Sequence, residues 1–167
     1  VVSDNMGDAV TAYVEPSLVA NNSTEAAVKL NNNVIFVTGH GFGTHAFQGQ
    51  GAGKDPTACA VEWGLRDIMD GIPSKLMPIP EEHAAVDNAR AVHAYYLRTS
   101  ADPGMPVQVL GECSNGTAYL TAPMSVKDMH ALAKKLREQD EDLFFAGIRP
   151  GHNDKSHRTY RKQVIQM

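Results

Sequence analysis

The chain has 167 residues, 43% of them hydrophobic, and sets 15 Lys and Arg against 19 Asp and Glu for a formal charge of −4. That apolar content can bury a core in one domain or two small ones, and a mildly acidic surface argues against nucleic acid or an anionic membrane as the main partner. No apolar run approaches the roughly 20 residues of a membrane span and the N-terminus lacks the layout of a signal peptide, so a cytoplasmic protein is expected.

The chain begins Val1-Val2-Ser3 with no initiator Met, which raises the expectation of a fragment. Ala9 to Val14 alternates enough for a strand, Asn21-Asn22-Ser23 reads as a turn, and Val34-Ile35-Phe36-Val37 is a buried-strand candidate ended by Gly39. His45 to Gln48 reads as its hairpin partner through the turn Gly41-Phe42-Gly43. The loop Gly49-Gln50-Gly51-Ala52-Gly53-Lys54 follows, and Asp55-Pro56 reads as an N-cap with proline at the first helical position. From Pro56 to about Met69, Ala58, Val61, Leu65, Ile68 and Met69 recur at helical spacing and predict a stripe buried on one side, closed by Gly71 and Pro73.

Alternate glycines before a helix start remove side chains where a ligand could approach, and amides at a helix N-terminus favour an anion. The loop is neither of the common phosphate motifs. Gln48 stands where a P-loop has its first glycine and Asp55 where it has Ser or Thr, and the even spacing of Gly49, Gly51 and Gly53 does not fit the dinucleotide fingerprint. A loop that meets an anion and a loop that only packs a helix onto a strand both satisfy the pattern.

Residues 73–92 hold three prolines and a Glu pair and read as a linker. A second unit follows over 93–151: a strand across His93 to Thr99, the turn Asp102-Pro103-Gly104, and a hairpin of Val107–Leu110 with Ala118–Thr121 around Ser114-Asn115-Gly116. Ser125 then caps a helix, with Asp128 at the capping-box position and Val126, Met129, Leu132, Ala133 and Leu136 on one face, and Leu143 to Ile148 closes as a strand. The expected class is α+β: a mixed or antiparallel sheet with a glycine loop and helix, followed by a small α/β sandwich unit. A basic tail over 152–167 carries Lys155, Arg158, Arg161 and Lys162 and reads as solvated or docked on a partner.

Cys59 and Cys113 form no C-x-x-C pair and read as buried free thiols. His40 with His45, and His152 with His157, lack a third ligand in a convincing array, so no metal site is expected. No Gly-x-Ser-x-Gly and no Cys-His arrangement is present.

The run Val37-Thr38-Gly39 through Gly49-Gln50-Gly51-Ala52-Gly53-Lys54-Asp55-Pro56-Thr57-Ala58-Cys59-Ala60-Val61 to Asp67-Ile68 resembles the end of the catalytic core of homoserine dehydrogenase, with its G-x-G-A-G-x-x-P-T-A loop. Upstream, Glu15-Pro16-Ser17-Leu18-Val19 is similar to the family's His-Pro-Thr-Leu-Ile strand. Downstream, Tyr95-Tyr96-Leu97-Arg98 and Asp102-Pro103-Gly104 resemble the opening of an ACT module, with the helix that should follow replaced by Met105-Pro106-Val107-Gln108-Val109.

The resemblance implies the C-terminal portion of an NADP- or NAD-dependent oxidoreductase that interconverts homoserine and aspartate semialdehyde, in the route to threonine and methionine. It implies a division into 1–72, with dimerisation strands, glycine loop and cofactor-facing helix, a linker over 73–92, and a degenerate ACT-like unit over 93–151. Gly53 would approach the nicotinamide cofactor with Gly51, Ala52 and Thr57 beside it. The pairing strands imply a homodimer. The nucleotide-binding half is missing from this sequence, so the chain alone is expected to be inactive. A second register sets Tyr13-Val14-Glu15-Pro16, Glu25 and Lys29 against the family's catalytic Tyr-x-Glu-Pro, carboxylate and lysine, the lysine moving a proton at the substrate oxygen. In the competing register Glu25 and Lys29 are a surface i,i+4 pair on a short helix. The alternative from another class is a non-enzymatic ACT-like module that binds an amino acid.

Overall fold

The computed structural model describes residues 2–73 and 83–149. The basic tail and residues 74–82 of the expected linker lie outside that set, as do His152 and His157.

β1 (Val2–Asn5) and β2 (Ala9–Tyr13) form an antiparallel hairpin in which Asp4 faces Thr11 and Val2 faces Tyr13. Gly7 turns it at φ 94°, a left-handed value that disfavours a side chain, and the Asn5 carboxamide oxygen accepts from the Gly7 amide. β3 (Ser17–Leu18) continues the chain, followed by one 3-10 turn over Glu25–Ala27. β4 (Asn32–Gly39) and β5 (Gly43–Gln50) pair antiparallel as a separate two-stranded hairpin, from Asn32 opposite Gln50 to Gly39 opposite Gly43. The expected hairpin is therefore present, but Phe36 is its one buried residue.

α1 (Lys54–Met69) starts with Gly53, not Asp55, as N-cap, at φ 125° and without a capping side chain. Asp55 sits in the first turn, where its charge suits the helix dipole, and Pro56 sits where a missing N–H leaves nothing unpaired. The predicted stripe exists, yet none of its residues is buried: Met69 is 85% exposed and Trp63, on the same helix, 62%. The apolar spacing is helical, and nothing among the described residues covers it.

β6 (Ala85–Val86) adds in parallel to β2. Asn88 then imitates a strand residue, donating its amide to the Ala12 carbonyl at 2.9 Å while its oxygen accepts from the Ala12 amide at 2.9 Å. Arg90 clips the β1–β2 turn by a two-pronged pair with Asp8 at 2.6 and 3.0 Å and a further bond to Asp87.

The expected strand from His93 breaks at Ala94 into β7 (Val92–His93) and β8 (Tyr95–Thr99). β9 (Val107–Cys113), β10 (Gly116–Thr121), β11 (Met124–Ser125), α2 (Val126–Arg137) and β12 (Phe144–Ile148) complete the order. The main sheet runs β3-β12-β8-β10-β9, antiparallel except for β3, which joins β12 in parallel through Ser17 opposite Gly147. β11 pairs only with β7. Residues 100–106 return from β8 to β9 without a helix, as the sequence implies.

α2 covers one face of this sheet. Ser125 caps it, accepting from the Asp128 amide at 3.0 Å and donating to the Asp128 carboxylate at 2.6 Å. Met129, Ala133 and Leu136 meet Tyr95, Leu97 and Leu143 in the main core, with Leu132 at its margin. Asp140 closes the far end, its carboxylate accepting from the Thr99 hydroxyl and the Ser100 amide at 2.7 Å each. Those bonds hold its carboxyl below the ordinary range. Both cysteines are exposed, Cys59 because α1 is uncovered and Cys113 because it ends the edge strand β9. No described helix is long and apolar enough to cross a membrane.

Leu97 and Leu65 test the contrast between these two helical environments. Leu97→Ala removes about 2–5 kcal/mol in urea unfolding, whereas Leu65→Ala changes the stability by less than about 0.5 kcal/mol.

Candidate functional site

The glycine loop leaves β5 and enters α1 at the surface, so Gly51, Ala52, Gly53 and Thr57 lie together and exposed. The segment before β4 clamps it. The Gly51 amide donates to the Asn31 carbonyl at 2.9 Å, and the Asn31 carboxamide donates to the Ala52 carbonyl at 2.7 Å.

The three glycines do different work. A Cβ on Gly51 would stand 1.6 Å from the Asn33 side-chain nitrogen, so this exposed glycine leaves room for the Asn33 side chain. Gly49 faces open space, and Gly53 combines its left-handed φ with an exposed position at the helix mouth. Pro56 has no N–H, and the Thr57 amide is committed to the Gly53 carbonyl at 3.2 Å. The amides of Lys54 and Asp55 remain as donors of the first turn.

Glu25 lies half-buried in the 3-10 turn, and Lys29 lies exposed beyond its end. The Lys29 carbonyl accepts from the Asn32 amide at 3.2 Å and from its side chain at 3.0 Å, and Leu30 follows at φ 59°. The helix that would carry both Glu25 and Lys29 is thus a single turn ending at Ala27. Through Asn31, Lys29 stands two residues from the clamp on the glycine loop.

A second constellation is buried. Glu15, with its side chain 1% exposed, is met from four elements. His93 Nε2 is 2.8 Å from Oε1 and Tyr95 donates its hydroxyl to Oε2 at 3.3 Å. His130 Nε2 on α2 lies 3.4 Å from Oε2, and Arg149 Nη2, just past β12, donates to Oε1 at 3.3 Å. The same Arg149 nitrogen donates to the Tyr13 hydroxyl, with its guanidinium 5.0 Å from the Tyr13 ring centre. The Tyr95 ring packs 4.4 Å from the His93 ring.

Burial raises the Glu15 carboxyl, but the hydrogen bond and charge of His93 and the charge of Arg149 outweigh it and hold the group below the ordinary range. Burial and the adjacent Glu15 charge push the Tyr95 phenol far up, so it acts as a neutral donor. On β1, burial pushes Asp4 up to about 6, against the pull of the Arg149 charge. The cluster also explains Gly147: a Cβ there would stand 2.6 Å from both Glu15 Oε1 and His93 Nε2.

The sequence reading did not assemble this cluster. Its one local signal is the alternation Thr11-x-Tyr13-x-Glu15, which sends polar groups to the inward face of a strand.

Residues 2–69 match the family model of homoserine dehydrogenase. The homoserine dehydrogenase match runs from the first residue of β1 to the last of α1, so it takes in Glu15, Glu25, Lys29 and the whole glycine loop. A crystal structure of a homoserine dehydrogenase from Thiobacillus denitrificans superposes on 89% of this chain at 20% identity, with a TM-score of 0.53. The likeness extends past the matched segment and shows a shared α+β fold. This chain spans 41% of that one's length. No curated protein matches.

The Glu15 cluster generates a pH dependence. Because its carboxyl is lowered in the fold from 4.5, its stabilisation is complete above that value and is lost as the pH falls through the lower, folded-state value. Glu15→Gln, which leaves the Arg149 guanidinium without its counter-charge, lowers stability by about 3 kcal/mol or more at pH 7 and removes this acid-sensitive component from the stability profile. Gly147→Ala, measured the same way, costs about 1–3 kcal/mol by overpacking.

Proposed function

We propose that this chain is the later portion of an NAD(P)-dependent homoserine dehydrogenase, a cytoplasmic enzyme interconverting homoserine and aspartate semialdehyde toward threonine and methionine. The observation that carries the reading is the uncovered side of α1 and its glycine loop. A helix with a regular apolar stripe, every residue of it unburied, begins at an exposed glycine loop whose first-turn amides suit an anionic group. The family match ends with that helix, and this chain spans well under half of the similar crystal structure.

The cofactor, NADP or NAD, would meet Gly53 and the amides of Lys54 and Asp55, with Ala52 and Thr57 as neighbours. It would supply hydride transfer. Gly51 serves the fold through Asn33 and stands behind this contact. The residues fit one wall of such a site, the rest belonging to a nucleotide-binding half. Lys29 and Glu25 are a weaker catalytic pair, since the turn carrying Glu25 stops before Lys29. A homodimer through the β4–β5 hairpin fits its isolation from the other sheets and the exposure of β5.

A specific observation also favours the ACT-like reading of residues 93–151. The order β12-β8-β10-β9 with α2 between β10 and β12 is that of a β-α-β-β-α-β unit whose first helix is replaced by residues 100–106. A module of this kind, binding an amino acid without turnover, is the alternative function.

Millimolar NADP⁺ added to the chain is expected to shift the amide resonances of Gly53, Lys54 and Asp55, and Gly53→Val to abolish those shifts while leaving the β8 and β10 resonances in place. Unchanged loop amides would make the loop a turn only. Homoserine-dependent NADP⁺ reduction by the chain alone is expected to be absent. Turnover that disappears in Lys29→Ala would replace this reading with a compact enzyme using Lys29.

A further inference from the structure

A groove runs along α2 beside β12, lined by His130, Ala133, Lys134, Arg137 and Glu138 of the helix and by Phe145 of the strand. Its volume of about 450 Å³ lies within the range of small-molecule sites. The helical residues recur every three or four positions, so they share one face, and the small, buried Ala133 leaves a depression among longer side chains. None of the lining residues falls in the matched segment 2–69, so the groove stands apart from the glycine loop.

The lining combines two chemistries. Phe145 and Ala133 supply an apolar floor, and the His130 ring stands edge-on to Phe145 with ring centres 5.6 Å apart. His130 is held in place because its Nε2 lies 3.4 Å from the buried Glu15 Oε2, while 41% of its side chain stays exposed. Lys134 and Arg137, three residues apart and so neighbours on the helix surface, bring two positive charges against the one carboxylate of Glu138. Among the described residues neither cation has an ion-pair partner. The helix dipole favours cations in this last turn, but Lys135 serves it equally and does not line the groove.

We propose that this groove binds a small organic anion, its aromatic body on Ala133 and Phe145 and its carboxylate or phosphate on Lys134 and Arg137.

The Arg137 fork suits either oxyanion, and Lys134 adds a point charge beside it. An aromatic body covers the apolar floor and gains a ring contact beside Phe145 and His130. A cationic ligand would meet two like charges. An inorganic anion would leave the floor wet, so affinity depends on both halves of the ligand together.

The test is nitrogen-15 NMR of the full chain titrated with phenyl phosphate and with phenylacetate at constant ionic strength, with inorganic phosphate and phenol as the separate halves. Amides of 130–138 and of Phe145 are expected to shift at millimolar concentration, and each half alone to bind about tenfold more weakly or worse. Either organic anion binding in this way supports the proposal, and the tighter one fixes the head group. Arg137→Gln is expected to weaken binding about tenfold with the β8 amides in place, and Lys135→Gln, which removes the same charge outside the groove, to leave it unchanged. Equal losses in the two variants would reduce the effect to bulk charge, and phenol binding as tightly as phenyl phosphate would reduce it to an apolar surface. Either result overturns the proposal. So do unshifted amides over 130–138, including the case in which only Gly53, Lys54 and Asp55 respond and the anion sits at the glycine loop instead.

Discussion

Glu15 is a carboxylate with a 1% exposed side chain, and a charge so placed persists only with counter-charges and donors around it. Its partners come from distant parts of the chain, His93 and Tyr95 about eighty residues on and Arg149 beyond β12. Satisfying one side chain therefore fixes where the N-terminal hairpin, β7, β8, α2 and the end of β12 meet. The Ser17–Gly147 pairing of β3 with β12, and the absence of a side chain at Gly147, follow from the same point. The apolar core under α2 supplies stability, and the polar cluster supplies register.

The β4–β5 hairpin and α1 stand outside that logic. Their residues obey strand and helix periodicity, yet almost none is buried, and the clamp by Asn31 and Asn33 fixes the glycine loop without covering it. The glycine loop thus enters α1 at an exposed position, held by the Asn31 bonds. The homoserine dehydrogenase match over residues 2–69 takes in this hairpin and helix together with the N-terminal strands, and this chain spans 41% of the similar crystal structure.

Much of this was legible in local pattern. Asn115-Gly116 marked the β9–β10 turn, and Ser125 with Asp128 marked the start of α2, because each acts within four residues of chain. The buried face of α2 followed from its period. What was not legible depends on residues far apart in sequence. Gly51 looked like its two neighbours, and only the position of Asn33 shows that it leaves room for that side chain. Asp55 looked like an N-cap, yet a glycine at φ 125° allows the helix to begin two residues earlier. The stripe on α1 predicted a buried face, yet its residues are exposed, because burial needs a covering partner as well as helical spacing. Glu15 was noticed for its Tyr-x-Glu-Pro setting, while its real partners are two histidines, a tyrosine and an arginine that no spacing rule connects.

Native-state hydrogen exchange on the full chain tests most directly whether Glu15 joins the N-terminal strands to the sheet under α2. Amides of β2 and of β8 are expected to open with the same free energy in wild type, and in Glu15→Ala the β2 amides to open well before those of β8. A β2 that already opens separately in wild type, or that stays coupled to β8 in the variant, would contradict the account.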